Sequence, residues 1–239
     1  MQLLVGMSGF AYKAWKGGFY PEDLPADGML GYYAGRFPAV EINNTFYRMP
    51  SEKVLLQWAD QVPEQFVFAL KASRRITHLG RLKNVEDSVE YFLRTASVLE
   101  NRLGPTLFQL PPNFKKDLPL LQAFLALLPR RWLSAFEFRH DSWFDDGVYQ
   151  ALAEREAALC VAEDDKGATP MVRTAGWGYL RLRRSEYGPA DLQAWTARLS
   201  DQRWERAFVF FKHEEDGGLG PAAALAYAGE AAPRLAGKA

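Results

Sequence analysis

The sequence predicts one α/β domain built as a (β/α)8 barrel, and three observations support this prediction. About eight apolar runs of strand length recur along the 239 residues. Each is followed by a polar loop and a longer stretch with helical spacing, the alternation typical of parallel βαβ units. Polar residues stand near the ends of these runs, where barrel enzymes carry their active sites. An open Rossmann-like sheet would show the same alternation, so the closed barrel depends on the strand count and on those polar residues.

The elements follow one another without a linker or an internal repeat, so we expect a single domain over residues 1–239. The predicted strands are 3–7, 39–43, 66–71, 106–110, 135–139, 159–163, 179–183 and 208–212. The predicted helices are 29–36, 52–60, 85–102, 118–128, 146–156, 189–199 and 222–235. Ser51 stands before one helix, and Pro189 occupies a first-turn position where proline is tolerated. Residues 163–175 are predicted to form a long loop.

Composition excludes several classes of protein. Lys plus Arg and Asp plus Glu both number 29, so no overall field attracts the chain to nucleic acid or to an anionic membrane. The lone Cys160 lies in an apolar run and cannot form an internal disulfide, which predicts a buried thiol in a reducing compartment. The first residues lack a signal-peptide pattern, and no apolar run approaches ~18 residues. We therefore expect a cytoplasmic protein that does not cross a membrane.

Side-chain parity divides each strand into two faces, because successive residues in a strand point in opposite directions. In the fifth strand Phe136 and Phe138 share one face, while Glu137 and Arg139 share the other. The large apolar groups are predicted to face the helices and the polar groups the barrel interior. The same rule turns these further residues inward, each near the C-terminal end of its strand: Glu41, Asn43, Lys71, Gln109, Asp164, Arg181, Arg183 and Lys212.

The charges of this inward set are mixed and lean cationic. Its acids are Glu41, Glu137 and Asp164, and its bases include Lys71, Arg139, Arg181 and Lys212. Arginine binds carboxylate and phosphate with two parallel hydrogen bonds, so we expect an anionic or sugar-containing small molecule as the ligand. The alternative is that the charges pair with one another and only fill the upper barrel. The anionic-ligand prediction fails if the carboxylates saturate the arginines.

Three residues are candidate catalytic groups. Glu41 and Glu137 come from strands three places apart and resemble the paired carboxylates of glycoside hydrolysis. Arg139 is expected to lower the pKa of Glu137, which suits a base or nucleophile better than an acid. His140 is a candidate proton shuttle, with a structural histidine as the alternative. The Asp and Ser that follow it do not make a triad, and no GxSxG elbow is present.

No metal or cofactor is specified by the sequence. His78, His140 and His213 all follow predicted strands at the same barrel face, but HExxH and CxxC spacings are absent. We predict no metal site and leave the cofactor open.

Aromatic side chains are dense in the loops at this face. Tyr47 and Trp143 are candidate ligand-binding residues that stack on a sugar or a base, unless they only pack the loops over the barrel. Basic residues lie among or near the loop aromatics, a pattern compatible with nucleic acid: Lys13, Lys16, Arg74, Arg75 and Arg81.

Five segments resemble the domain-of-unknown-function 72 family, the YecE-like proteins. They are SGFAYKAWKGGFYP (8–21), EINNTFYRMP (41–50), FALKASRRITH (68–78), LFQLPPNF (107–114) and FEFRHDSWF (136–144). The resemblance implies a TIM-barrel-like fold and a family without an established activity. Its motif positions fall on Ser8, Gly9, Trp15, Glu41, Asn43, Thr45, Tyr47, Lys71, Gln109, Glu137, Arg139, His140 and Trp143.

The last third of the chain departs from the family pattern. RLRRSEY (181–187) replaces an Arg-x-His-Gly type segment, and FFKHEED (210–216) replaces a Phe-Asn-Asn-Asp type run. One side of the barrel mouth is therefore expected to differ from that of the family.

The functional hypothesis is a hydrolase or isomerase acting on an anionic or sugar-containing small molecule, with Glu137 or Glu41 as the base. The alternatives are a non-catalytic module that binds nucleic acid or a metabolite, and an interaction scaffold. The oligomeric state is left open.

Overall fold

The computed structural model describes residues 1–212 and 219–236. The strands in this part of the chain are β1 (Gln2–Met7), β2 (Ala39–Ile42), β3 (Val67–Lys71), β4 (Leu103–Gln109), β5 (Ser134–Glu137), β6 (Ala158–Asp164), β7 (Gly167–Ala168), β8 (Trp177–Leu182) and β9 (Arg206–Phe211). The helices are α1 (Met29–Ala34), α2 (Glu52–Asp60), α3 (Glu86–Ala96), α4 (Leu118–Leu127), α5 (Asp146–Ala153), α6 (Pro189–Ser200) and α7 (Leu219–Ala236).

Eight parallel strands close into a barrel, which confirms the predicted TIM-like fold. Their order around the barrel is β1, β2, β3, β4, β5, β6, β8 and β9. The ring is complete because β1 pairs with both β2 and β9, and β5 pairs with β6. All C-terminal strand ends therefore meet at one mouth.

The parity prediction is also confirmed, since the buried apolar residues form two layers. The layer between strands and helices contains the large side chains Val40, Ile42, Phe68, Phe136 and Phe138. The layer inside the barrel contains several small side chains, among them Ala39, Ala69, Ala135, Ala158 and Cys160. An eight-stranded barrel has an interior just wide enough to be filled by side chains. Burial raises the pKa of the Cys160 thiol well above its ordinary value, in accord with an unreactive group.

The segment predicted as a long loop contains a short hairpin instead. Strand β6 continues to Asp164 and turns back into β7, with Glu163 opposite Ala168 and Asp164 opposite Gly167. The hairpin projects from the barrel mouth beside β5. The sequence prediction missed β7 because a two-residue strand is too short to show any alternation.

Two element boundaries differ from the prediction because of backbone conformation. The predicted helix 85–102 ends as α-helix at Ala96 and continues as the 3₁₀ helix Ser97–Arg102, in which Glu100 has a φ of 49°. Strand β4 begins at Leu103, earlier than predicted. The prediction missed its first residues because Gly104-Pro105 resembles a turn. A Cβ at position 104 would lie 2.3 Å from Val67 Cγ1, so the close approach of β3 requires glycine there.

Among the helices that the structure describes, none combines the length and the apolar character needed to cross a bilayer.

Candidate functional site

Three charged side chains form a buried cluster just below the barrel mouth, named here the central ion cluster. Arg181 on β8 donates from Nη1 to Glu137 Oε2 at 2.6 Å and from Nη2 to Glu41 Oε1 at 2.8 Å. The exposed fractions of these side chains are 2% for Arg181, 2% for Glu137 and 0% for Glu41. Because they project inward from β8, β5 and β2, the single guanidinium bridges the barrel interior.

Uncharged donors complete the shell of Glu41. The Ser8 hydroxyl donates to this carboxylate at 2.8 Å, and the Tyr179 hydroxyl donates at 2.7 Å. Asn43 Nδ2 donates to it at 3.1 Å. These partners come from the ends of β1 and β2 and from β8, so closure of the barrel is what assembles them. Glu41 therefore has no exposed surface and is enclosed by its hydrogen-bond partners.

The second carboxylate of the cluster reaches the mouth. Glu137 accepts from Gln109 Nε2 at 2.8 Å and from Arg139 Nε at 2.9 Å, besides its bond to Arg181. Arg139 lies two residues beyond the end of β5, and its side chain is 44% exposed. Its guanidinium therefore extends from the buried cluster to a cleft at the barrel mouth, described below.

Both carboxylates of the cluster are held in the charged form. Burial is the largest single influence and would raise the pKa of each, but the charge of Arg181 acts together with the hydrogen bonds and the other nearby arginine charges to outweigh it in both cases. The pKa of Glu41 lies below its ordinary value, and that of Glu137 falls to about 2. The two groups resemble the predicted pair in position, but an acid role for either one is disfavoured near neutral pH.

A cleft of about 640 Å³ opens beside the cluster, between β5 and the β6–β7 hairpin; we call it the mouth cleft. Its lining includes Glu137, Arg139, Asp164 and Arg183. Arg183 follows β8 and is largely buried, and its Nη1 has no hydrogen-bond partner in the described chain. Burial and then the charge of Arg181 lower the pKa of Arg183 below its ordinary value. The carboxylates thus accept from both terminal nitrogens of Arg181, whose Nε has no hydrogen-bond partner in the described chain, and they form no ion pair with Arg183 within the described residues.

Lys71, the last residue of β3, also lies at the mouth. Its Nζ is 4.3 Å from the centre of the Phe46 ring. Within residues 1–212 and 219–236, no carboxylate lies within ion-pair distance of this amine. Burial, followed by the charge of Arg181, lowers the pKa of Lys71 to about 8. The half-buried Lys71 ammonium group is therefore deprotonated more readily than that of an ordinary lysine.

Two of the predicted residues support the loop after β5. Trp143 is fully buried, stacks on Phe138 at 4.7 Å and donates from Nε1 to the Phe114 carbonyl at 2.6 Å. The ring has no surface left for a ligand, so the structure does not support its predicted binding role. His140 accepts at Nδ1 from the Ser142 amide at 3.2 Å and caps the 3₁₀ helix Asp141–Trp143. It does not line the mouth cleft.

Two further predicted residues, Asp164 and Lys212, lie at the rim of the mouth cleft or outside this cleft. Asp164 lines the mouth cleft but is exposed, and its carboxylate accepts from the Lys166 amide in the hairpin turn. Lys212 lines a separate cleft beside Arg184 and Tyr187.

A third predicted residue, Tyr47, is 69% exposed and faces a groove of about 1040 Å³ between the loops that follow β2 and β3.

The structure brings together seven of the predicted site residues, in the central ion cluster, among its hydrogen-bond partners or in the mouth cleft. They are Glu41, Asn43, Gln109, Glu137, Arg139, Asp164 and Arg181.

The described residues contain no group of three or more His, Cys, Asp or Glu side chains arranged to hold a metal ion. His78 contacts the Phe46 ring at 4.8 Å and Thr77 Oγ1 at 3.0 Å. The third predicted histidine, His213, lies outside the described residues.

The structure adds hydrogen-bond partners and a cleft residue that the sequence alone does not identify as parts of the site. Tyr179 was not singled out, although it lies two positions before Arg181 and therefore shares its inward face. Ser8 was noted only as a family motif position, and Arg183 only as an inward residue. Parity carries the signal for Tyr179 and Arg183, but it does not distinguish a paired guanidinium from an unpaired one.

Comparisons with known proteins agree on one family. The family model described as "Protein of unknown function DUF72" matches residues 4–237. The UPF0759 protein YecE of Escherichia coli is 37% identical over 127 residues, which cover 53% of this chain and 47% of that protein. The UPF0759 protein YunF of Bacillus subtilis is 31% identical over 147 residues, which cover 55% of this chain and 49% of that protein. The matched region thus spans about half the length of these relatives.

Solved structures show the same relationship over the whole barrel. A DUF72 family protein of Thermotoga maritima has a TM-score of 0.83 at 29% identity, covering 95% of this chain and 98% of that one. A DUF72 family protein of Enterococcus faecalis, at 18% identity, has a TM-score of 0.79 over 97% of this chain and 96% of that one. The second likeness concerns the fold alone. By its family model and its motifs, this chain belongs to the DUF72 family.

Proposed function

We propose that the mouth cleft binds the phosphate or carboxylate group of a small metabolite, and that the protein acts on that metabolite as a hydrolase or isomerase. The observation that carries this proposal is the buried Nη1 of Arg183, which has no hydrogen-bond partner in the described chain. A buried donor without a partner costs about 1–3 kcal/mol, and more when it is charged. An anionic oxygen in the cleft would supply the missing acceptor.

Arg139 provides a second donor group at the same cleft. Its Nε is committed to Glu137, but the side chain is 44% exposed and its terminal nitrogens make no hydrogen bond to the described residues. Two guanidinium groups on neighbouring walls suit an anion with several oxygens, because each can donate two parallel hydrogen bonds.

The charges around the cleft favour an anion as well. Four cations, Lys71, Arg139, Arg181 and Arg183, lie in or beside the cleft with three carboxylates that are not exposed, Glu41, Glu137 and Glu163, which leaves an excess of one positive charge. The rim adds Asp141, Asp164 and Lys166, which are all exposed, so water and salt screen their charges. The deeper part of the cleft therefore carries an excess of positive charge.

Within this proposal, Glu137 is the carboxylate at the cleft wall and Glu41 orients Arg181 from below. Since Glu137 is ionised near neutral pH, it can accept a proton or stabilise a cation, but it does not donate a proton. His140 has its Nδ1 committed to the Ser142 amide, so only Nε2 is available for a proton shuttle.

Isothermal titration calorimetry tests the anion site with phosphorylated sugars, carboxylated sugars and the matching neutral sugars. We expect the charged compounds to bind and Arg139→Met and Arg183→Met each to weaken binding by roughly tenfold or more, since a charge-assisted hydrogen bond contributes about 1.5–3 kcal/mol. Arg131→Met is the matched control, because Arg131 is exposed in the loop that enters β5 at the opposite end of the barrel. Equal binding of neutral and charged sugars, or unchanged affinity in both mouth variants, would refute the proposal.

One observation favours nucleic acid as a second candidate ligand, at a different surface. The exposed ring of Tyr47 has the guanidinium of Arg74 6.0 Å from its centre. The groove of about 1040 Å³ below it also contains Arg75 and Tyr91, and Tyr91 is 48% exposed. Exposed aromatic rings beside arginines are the elements on which single-stranded bases stack.

Fluorescence anisotropy with a labelled single-stranded oligonucleotide tests this candidate at two salt concentrations. We expect binding that weakens with salt and a smaller salt dependence in the double variant Arg74→Ala, Arg75→Ala. Tyr47→Ala should remove the stacking contribution. Salt-independent binding, or binding unchanged by all three substitutions, excludes this groove as the site.

A further inference from the structure

We propose that Lys71 is a nucleophile that forms an imine with a carbonyl group of the anionic substrate. The inference rests on the proposed function and narrows it, because it names the substrate as a carbonyl compound that also bears a phosphate or a carboxylate. It also favours isomerase-type proton transfer next to the carbonyl over hydrolysis.

The backbone fixes the position of Lys71 at the mouth. Lys71 ends β3, and parity places its side chain on the same inward face as Ala69, which lies in the barrel interior. Thr45 Oγ1 donates to the Lys71 carbonyl at 2.6 Å, which ties the end of β3 to the loop after β2. The same loop supplies the Phe46 ring, 4.3 Å from Nζ. The amine is therefore directed by packing rather than by an ion pair.

The neighbouring carboxylates are already occupied. Glu41 accepts from Ser8, Asn43, Tyr179 and Arg181, and Glu137 accepts from Gln109, Arg139 and Arg181. Neither lies within ion-pair distance of the Lys71 amine. A lysine that serves only structure at a barrel mouth would be expected to pair with one of them. Here the amine lies against the Phe46 ring and has no carboxylate partner among the described residues.

The environment also favours the neutral, nucleophilic form of this amine. Lys71 is half-buried, and two arginines, Arg181 and Arg139, act on it with like charge. Desolvation and a neighbouring cation are the two means by which proteins activate lysine as a nucleophile. With a pKa of about 8, a useful fraction of Lys71 is neutral at pH 7 to 8, whereas an exposed lysine is almost wholly charged there.

The covalent step balances without any further reactant. The lone pair of Nζ attacks the carbonyl carbon, the π electrons move to oxygen, and a proton passes from nitrogen to oxygen to give a carbinolamine. A proton from solvent is taken up by the hydroxyl group, and loss of one water molecule then gives the protonated imine. The positive nitrogen then withdraws electrons from the adjacent C–H bond, so that a proton can leave the neighbouring carbon and return elsewhere, after which water releases the product.

Proximity to the anion site determines which carbonyl compounds qualify. Lys71 lies near enough to Arg139 for their charges to interact. A 2-oxo acid or a phosphorylated keto or aldehyde sugar places its anionic group on Arg139 and Arg183 while its carbonyl meets the amine. An uncharged ketone lacks this anchor.

Borohydride trapping tests the inference on the full-length protein. The probes are pyruvate, dihydroxyacetone phosphate and pyridoxal 5′-phosphate, each incubated with the protein and reduced with sodium borohydride, which adds hydride to an imine and leaves a stable secondary amine. Peptide mass spectrometry then locates the adduct. We expect it on Lys71 at least tenfold above exposed lysines such as Lys53 and Lys115, with a rate that rises through pH 8.

Matched variants separate the possible results. Lys71→Arg keeps the charge and should lose the adduct while retaining anion affinity, whereas Lys53→Arg should retain both. Arg183→Met should lower trapping by phosphorylated probes but not the low background with dihydroxyacetone. Anion binding by calorimetry without preferential labelling of Lys71 by any probe overturns the imine inference and leaves the proposed function standing. Absence of both anion binding and labelling overturns the two together.

Discussion

Arg181 and Glu137 form a 2.6 Å ion pair at the centre of the barrel, and each side chain is only 2% exposed. The second nitrogen of the same guanidinium reaches Glu41, so one cation bridges two carboxylates in the barrel interior. Of the two acids that resemble a glycosidase pair, Glu41 is therefore held by buried structural contacts. In the proposed function, ligand binding and chemistry therefore involve Glu137 and the cations near it, Arg139, Arg183 and Lys71.

Removal of Arg181 should strongly destabilise the barrel. Arg181→Met leaves the buried Glu41 without a counterion and Glu137 with Arg139 alone, and breaking a buried pair in this way costs about 3–5 kcal/mol. Urea unfolding monitored by circular dichroism measures the loss. The triple variant Glu41→Gln, Arg181→Met, Glu137→Gln should recover part of it, because no unpaired buried charge remains.

Lys116→Met is the control for this series. Lys116 and Asp145 form an ion pair of 2.9 Å that is partly exposed at 35% and 41%, so its loss should cost less than about 1 kcal/mol. If Arg181→Met is no more destabilising than this control, the central ion cluster does not hold the barrel together.

The stabilising effect of Glu137 should be lost in acid. Its pKa is about 2 in the folded protein and 4.5 as an ordinary glutamate, so the folded state favours the charged form. The contribution is complete above pH 4.5 and declines as the pH falls through 2. The difference in unfolding free energy between the native protein and Glu137→Gln should therefore be constant above about pH 5 and shrink toward pH 2. A difference that stays constant down to pH 2 would contradict this.

Lys71 should destabilise the fold at neutral pH. Its pKa falls from 10.5 to about 8 on folding, so the folded protein binds fewer protons than the unfolded chain between these values. The penalty is complete below pH 8 and disappears as the pH rises to 10.5. Lys71→Met should thus unfold at higher urea concentration than the native protein at pH 7, with the gap closing by pH 10.5.

The groups whose charges act on this titration are on several elements around the mouth. They are Glu41, Glu137, Arg139, Arg181 and, from the loop after β3, His78. Lys53→Met, at an exposed position of α2, should show no such pH-dependent gap. A constant gap for Lys71→Met across the range would mean that the amine keeps its ordinary pKa.

Trp143 should matter for stability and not for ligand binding. Trp143→Phe keeps an aromatic ring against Phe138 but removes the Nε1 bond to the Phe114 carbonyl and leaves a small void. We expect a loss of roughly 1–3 kcal/mol in unfolding free energy and unchanged anion affinity by calorimetry. Weakened anion binding at unchanged stability would restore the binding role that the sequence suggested.

Strand parity explains how much of the site was predictable. Each member of the central ion cluster lies two positions from a small or aromatic inward residue; the members are Glu41, Glu137 and Arg181. The two-residue period of a strand therefore assigns all three to the barrel interior without knowledge of their partners. Tyr47 and Trp143 were harder, because they lie in loops where no period applies. One of them is exposed on a separate groove and the other is buried beneath the mouth.

The alternation of about eight strand-length runs with helices, and the charged face of each strand, could be predicted from the chain alone because both properties are local and periodic. Only the tertiary structure decided which charges neutralise one another. Arg181 meets Glu41 across 140 residues of chain and Glu137 across 44, and this leaves Arg183 Nη1 buried without a partner in the described residues. Such pairings depend on barrel closure and side-chain reach, which no local pattern encodes.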